Sequence, residues 1–125
     1  MPSWNSARKL LCIRLDTTGD VVMTTPAIRA LKTSYPDRQI SLMTSTARAV
    51  IAPLIAEVDD LMIYDAPWLK ATALRTSSAP DLVMIERLRQ AEFDAAVIFT
   101  VYSQNPLPAA LCCYLAEIPL RLAHT

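Results

Sequence analysis

The residues best suited to chemistry in this sequence are a glycine and an acid in direct succession, Gly19 and Asp20. Gly19 is the single glycine among 125 residues, and glycine permits tight turns and close approaches that a side chain resists. Asp20 stands at the expected start of a helix, where a carboxylate can cap free backbone N–H groups. The same carboxylate could instead face a substrate and act as a general base. The residue types alone leave both roles open.

Several familiar phosphate and signalling sites do not fit this turn. The dinucleotide-binding fingerprint and the P-loop each need more than one glycine. A phospho-acceptor aspartate of the receiver type would stand at the end of a later strand, where only Asp65 is a candidate. A receiver-like signalling domain is therefore a third and weaker interpretation, since the sequence shows no cluster of acids to accompany Asp65.

Composition excludes further classes of function. Lys and Arg total 12, as do Asp and Glu, so the chain lacks the basic footprint of a nucleic-acid-binding protein. No apolar run is long enough to span a bilayer, and the N-terminus does not have the pattern of a secretory signal. The three cysteines have neither a disulfide framework nor zinc-ligand spacing. We expect a cytoplasmic domain with no nucleic-acid partner and no metal.

The elements that must position Gly19 and Asp20 alternate along the chain. Apolar stretches of strand length cover residues 9–15, 39–45, 59–65, 94–101 and 120–124, and helical stretches cover 20–36, 47–58, 81–93 and 107–118. This alternation predicts an α/β protein with a Rossmann-like, doubly wound parallel sheet of about five strands. Ligands of such sheets bind beyond the carboxyl ends of the strands, which is where Gly19 and Asp20 are expected.

Apolar side chains recur at helical spacing in three of these stretches. The pattern predicts faces formed by Ile28, Leu31 and Tyr35 in the first helix, by Leu82, Ile85 and Leu88 in a later one, and by Leu107, Ala110, Leu111, Tyr114, Leu115 and Ile118 in the last.

The stretch CIRLDTTGDVVMTTPAIRALKTSYPD, residues 12–37, resembles the N-terminal signature of glycosyltransferase family 9, the lipopolysaccharide heptosyltransferases. That signature is a buried strand, a basic residue, a short polar loop, Gly-Asp-Val or Gly-Asp-Ile, and then Thr-x-Pro-Ala before a helix that ends near Tyr-Pro or Phe-Pro. The segments VDDLMIYDAPW and AEFDAAVIF, residues 58–68 and 91–99, resemble the third and fourth strand regions of the family. The resemblance covers essentially the whole chain.

This resemblance implies a GT-B architecture, in which two Rossmann-like domains face each other across a cleft. The N-terminal domain of the family binds the sugar acceptor, and the C-terminal domain provides most contacts to the nucleotide-sugar donor. Transfer inverts the anomeric centre without a metal or cofactor. Asp20 matches the proposed general base, and Arg14 matches the basic position at the end of the first strand. Thr17, Thr18 and Gly19 match the loop that approaches a phosphate or acceptor group.

The resemblance also suggests further acceptor contacts. Lys70 and Arg75 lie in the expected loop over residues 66–80, where heptosyltransferases place basic residues against acidic groups of the acceptor. Solvated loop charges are the alternative for both, because most Lys and Arg side chains are exposed without a special role. Gln104 follows the fourth strand and is a third candidate. Phe99 stands where many family members carry an acid, which departs from the pattern that accompanies heptose transfer.

The resemblance implies that residues 1–125 form an incomplete N-terminal, acceptor-side domain, and that a C-terminal donor-binding domain is absent. We expect the isolated chain to be inactive. The full-length protein would bind a glycan or lipid-linked acceptor, with peripheral association with the inner face of the cytoplasmic membrane as a further option. The alternative is a non-catalytic Rossmann-like module, either a remnant or a partner-binding domain, because fold does not fix function.

Overall fold

The computed structural model describes residues 4–15, 21–35, 37–46, 56–68, 76–99 and 106–124, without the side chains of residues 21–25 and 124. Strands and helices alternate through these ranges, as the sequence pattern predicts. Their bounds are β1 (Lys9–Arg14), α1 (Val21–Ser34), β2 (Gln39–Thr44), β3 (Asp60–Ile63), α2 (Ala79–Ala91), β4 (Ala95–Phe99), α3 (Leu107–Leu115) and β5 (Leu120–His124). The helix predicted over residues 47–58 lies mostly outside the described ranges.

The five strands form one parallel sheet in the order β3-β2-β1-β4-β5. From β1 the chain builds outward through β2 and β3, then returns to the other side of β1 to add β4 and β5. The prediction of a doubly wound, Rossmann-like α/β sheet is therefore confirmed. The strand order reverses between β1 and β4, and this switch point is where open parallel sheets form a ligand crevice.

Helices cover both faces of the sheet. On one face, Ile28 of α1 packs in a cluster with Cys12 and Leu42 of the strands. On the other face, Leu88 of α2 packs in a cluster with Ile98 of β4. These strand residues are at most 3% exposed, and full burial of such a side chain is worth about 1.5–3 kcal/mol. Burial on both faces explains why the central strands have continuous apolar runs.

The apolar face predicted for the last helix was wrong over most of α3. Leu107, Leu111 and Tyr114 are 57–68% exposed and Leu115 is 42% exposed, whereas the small residues Ala109 and Cys113 are buried. Two members of the predicted face do contact the core: Ala110 packs against it, and Ile118, beyond the end of α3, is buried. Residues 107–115 are apolar on every side of the helix, so their spacing does not distinguish the two faces. The small side chains bring the helix axis close to the strands, which leaves the bulky ones outside.

Helix α2 also differs from its sequence pattern at one position. Met84 and Leu88 are buried and Ile85 packs against them, as expected for residues three and four apart. Leu82 is 61% exposed, because two residues before Met84 it lies on the far side of the helix. The inclusion of Leu82 in the core face was therefore wrong.

The three cysteines differ sharply in accessibility. Cys12 and Cys113 are buried, and burial raises the pKa of each thiol to about 12. Cys112 is half-buried, and burial raises the pKa of its thiol as well.

Because the thiolate is the reactive form, a disulfide reagent at pH 8 is expected to label Cys112 first and the other two roughly a thousandfold more slowly than a free cysteine. Cys112→Ser is expected to remove the fast phase, and equal rates at all three thiols would contradict this assignment.

The carboxylate of Asp59 joins the end of α1 to the start of β2. It accepts the backbone N–H of Ile40 at 2.9 Å and the ammonium of Lys32 at 2.7 Å. Burial favours the neutral acid, but these hydrogen bonds and the Lys32 charge outweigh it and hold the pKa of Asp59 below its ordinary value. Ionised Asp59 therefore stabilises the fold above about pH 4, and that contribution is lost as pH falls through the folded-state pKa.

Asp59→Asn is accordingly expected to lower the urea midpoint at pH 7 and to weaken its dependence on pH between about 5 and 3. The urea unfolding curve at a series of pH values measures both effects. Asp37→Asn is the matched control, because Asp37 is an exposed acid in the turn before β2. An equal acid dependence in the Asp59 variant and the unsubstituted protein would refute the role of this carboxylate.

Candidate functional site

The crevice at the switch point lies between the carboxyl ends of β1 and β4. Ile13 of β1 is paired with Ile98 of β4, and one residue further these strands end at Arg14 and Phe99. Asp20 belongs to the connection from β1 to α1, and Gln104 to the connection from β4 to α3. The topology thus directs both connections to one edge of the sheet, as the sequence pattern predicts.

Most of the predicted site residues lie outside the described ranges. The placement of the general base, of its loop and of the suggested acceptor contacts therefore stays a prediction. These residues are Thr17, Thr18, Gly19, Asp20, Lys70, Arg75 and Gln104.

Arg14 is the predicted site residue that the structure describes. It ends β1 and is only 7% exposed, which is low for a guanidinium. Its Cα is in register with that of Thr44, the last residue of β2. Because alternate residues of a strand share a face, Arg14 and Thr44 stand on the same face as Cys12 and Leu42, the face that α1 covers.

Two hydroxyl side chains at the end of β2 were not anticipated from the sequence. Thr44 is fully buried and Ser45 is 3% exposed, and among the described residues neither hydroxyl has a hydrogen-bond partner. The next residue behaves differently, because Thr46 donates its hydroxyl to Asp65 at 2.6 Å and its backbone N–H to the same carboxylate at 2.9 Å. The signal available in the sequence was a run of three hydroxyl residues, residues 44–46, at the end of an apolar strand.

At the carboxyl-end edge of the sheet, on the side away from β4, lie the end of β3 and the start of α2. Tyr64 donates its hydroxyl to Asp81 at 2.7 Å, and its ring meets that of Trp68 edge-on at 6.0 Å between centroids. Trp68 is half-buried and packs against the core on the α2 side. These contacts fix the position of α2 relative to the carboxyl end of β3.

The described part of the chain gives two further negative findings. It contains no group of three or more His, Cys, Asp or Glu side chains arranged to hold a metal ion. It also contains no helix with the length and apolar character needed to cross a bilayer.

Comparison with known proteins gives no match to a family profile and none to a curated protein. Solved structures do match. ADP-heptose lps heptosyltransferase II from E. coli superimposes with a TM-score of 0.71 and 22% sequence identity over 92% of this chain. In fold, this chain is similar to the glycosyltransferases of family 9. A second such structure, the family 9 glycosyl transferase from Veillonella parvula, has a TM-score of 0.68 and 18% identity over 94% of the chain.

The match covers only part of each glycosyltransferase. This chain spans 30% of the length of the E. coli protein and 32% of the Veillonella one. The C-terminal domain of a Pyrococcus furiosus hydrogenase also matches, with a TM-score of 0.58, 12% identity and coverage of 94% of this chain and 92% of that domain. The fold therefore occurs with different chemistries, and only the site residues can separate them.

Proposed function

We propose that this chain is the acceptor-side domain of an inverting, metal-independent glycosyltransferase of the family 9, heptosyltransferase-like type. The observation that supports it best is the switch point. The sheet order reverses beside Arg14, and the connection that leaves this strand end carries Gly19 and Asp20. The similarity in fold to two glycosyltransferases agrees with the sequence signature around the same residues.

In the proposed reaction Asp20 acts as the general base. An acceptor hydroxyl attacks the anomeric carbon of the donor, and its proton passes to the Asp20 carboxylate. The new glycosidic C–O bond forms as the bond to the diphosphate breaks, and the bonding pair leaves with the nucleoside diphosphate. Attack from the face opposite the leaving group inverts the anomeric centre. Proton removal of this kind contributes typically about 10²–10⁴-fold to the rate.

The remaining parts of the proposal follow from the same assignment. Donor contacts belong to a second domain, so the 125 residues alone would not catalyse transfer. Arg14 and the loop with Thr17 and Thr18 would hold a phosphate or acceptor group, and Lys70, Arg75 and Gln104 would contact the acceptor. The acceptor is a glycan or lipid-linked sugar of the lipopolysaccharide type. The reaction would occur in the cytoplasm or at the inner face of its membrane, and it calls for no cofactor.

The test begins with the DNA that follows codon 125. We expect the reading frame, continuous or restored by one frameshift, to encode a second βαβ domain. The protein from that complete frame is then assayed with ADP-heptose and a truncated lipopolysaccharide acceptor, by release of ADP and by the mass of the product. Transfer supports the proposal. A frame without a second domain, together with no transfer from any nucleotide-sugar, would contradict it.

A non-catalytic binding module is the second candidate. The hydrogenase match agrees with it to the extent that the same fold there makes up 92% of a single domain, at 12% identity. The two candidates differ in what the 125-residue chain binds. An acceptor-side domain is expected to bind the truncated lipopolysaccharide acceptor, whereas a partner-binding module would not.

A further inference from the structure

Thr44 and Ser45 place two buried hydroxyl groups without a hydrogen-bond partner, among the described residues, at the carboxyl end of β2. Buried polar groups in folded proteins are nearly always paired, and an unpaired one costs free energy unless something else satisfies it. The Thr44 hydroxyl lies at the ligand-binding edge of a parallel sheet, where a bound ligand could satisfy it.

A positive charge and a helix amino end lie on the face of the sheet that carries the Thr44 hydroxyl. Arg14 is in register with Thr44 on the face of the sheet that α1 covers. Ile28 of α1 packs in one cluster with Leu42, so the amino end of α1 lies over the carboxyl end of β2, where Thr44 is. A helix begins with backbone N–H groups that have no partner within the helix and carries a partial positive charge there.

The donors in this region match an oxygen-rich anion. A guanidinium has five N–H donors, so the contacts that Arg14 already makes are compatible with a further one. Hydroxyl groups and helix amino termini are common partners of phosphate and carboxylate oxygens. We propose that Thr44 and Arg14, with the amino end of α1, form a subsite for an oxyanion, a phosphate or carboxylate group of the acceptor. The identification of the ligand as the acceptor rests on the proposed function.

The subsite can be tested by binding to the 125-residue chain itself. The probes are inorganic phosphate, glucuronate as a sugar carboxylate, and ADP, each titrated while the amide resonances around Arg14 and Thr44 are followed by NMR. Thr44→Val keeps the shape of the side chain and removes the hydroxyl. We expect phosphate or glucuronate to shift these resonances, and Thr44→Val to weaken binding by about 10- to 100-fold.

Thr46→Val is the matched control, because it removes a hydroxyl that is bonded to Asp65. We expect it to bind the probes normally and to melt at a lower temperature. Thr44→Val is expected to melt no lower than the unsubstituted chain, because its hydroxyl has no partner to lose.

Four outcomes would overturn the proposal. The first is the absence of any resonance shift with phosphate or glucuronate up to about 50 mM. The second is an unchanged affinity of Thr44→Val for these probes. The third is a fall in the melting temperature of Thr44→Val as large as that of Thr46→Val. The fourth is binding of ADP alone, which would assign the anion to the donor. Because these readouts need no transfer, a failure of the proposed glycosyltransferase activity would leave them unaffected.

Discussion

Asp20→Asn in the complete protein is expected to lower kcat for sugar transfer by about 10²–10⁴-fold, with little change in the melting temperature. An amide cannot take the proton of the acceptor hydroxyl, so the general-base contribution is lost. Asn caps a helix about as well as Asp does, so a purely structural role would survive the substitution. The pair of measurements therefore separates the two roles that the sequence leaves open.

The controls for this substitution are chosen to match its chemistry. Asp37→Asn makes the same change at an exposed acid before β2, at the opposite end of the strands from the crevice, and is expected to keep full activity. Asp20→Ala removes both the carboxylate and any capping group, and a lost cap costs about 1 kcal/mol. If Asp20→Asn retains its rate and Asp20→Ala only melts earlier, Asp20 is a helix cap and the base lies elsewhere.

The strands were predictable because burial on both faces of the sheet requires a continuous run of apolar residues, which is easy to recognise in the sequence. β1 and β4 are runs of apolar residues of strand length, and alternation with helices then implies parallel pairing. The end of α2 was less visible. It ends at Ala91, and the next residue, Glu92, has a φ of 56° in the left-handed region, a position where glycine is the usual signal.

Helix faces were harder to predict than helix positions. In α3 both the bulky stripe and the small stripe are apolar, so the choice between them depends on how closely the helix can approach the sheet. That distance is set by Ala109 and Cys113 against the strands and is a property of the assembled structure. A pattern of large residues at three and four positions apart identifies a helix, but it does not say which face is inside.

The edge of the sheet that the β1–α1 and β4–α3 connections leave could be predicted, whereas the side chains that line it could not. Sheet topology alone directs these two connections to the same edge, since β1 and β4 adjoin where the strand order reverses. The hydroxyls of Thr44 and Ser45 become notable only through their burial and through the register that sets Thr44 beside Arg14. Register is fixed by long-range packing, and no local spacing encodes it.

The opposite edge of the sheet depends on one buried guanidinium that the sequence pattern did not single out. Arg38 is 4% exposed and donates to the carbonyl oxygens of Ala7 at 3.1 Å, Leu31 at 3.3 Å and Trp4. It also lies over the ring of Tyr35, 4.4 Å from its centroid. One side chain thus joins the segment before β1 to the last turn of α1, where carbonyl groups have no partner within the helix.

Arg38→Ala is therefore expected to lower the free energy of unfolding by about 2–4 kcal/mol, measured by urea denaturation at pH 7. The loss is large because a buried side chain loses hydrogen bonds to three carbonyl oxygens at once, and it is a substantial share of the 5–15 kcal/mol that stabilises a typical domain. Arg38→Lys is expected to recover only part of it, since a single ammonium cannot reproduce the planar fork that reaches separate carbonyls. Arg87→Ala, on the exposed side of α2, is the matched control and should change stability by less than about 0.5 kcal/mol. If Arg38→Ala were no more damaging than Arg87→Ala, the link between the N-terminal segment and α1 would have to come from packing alone.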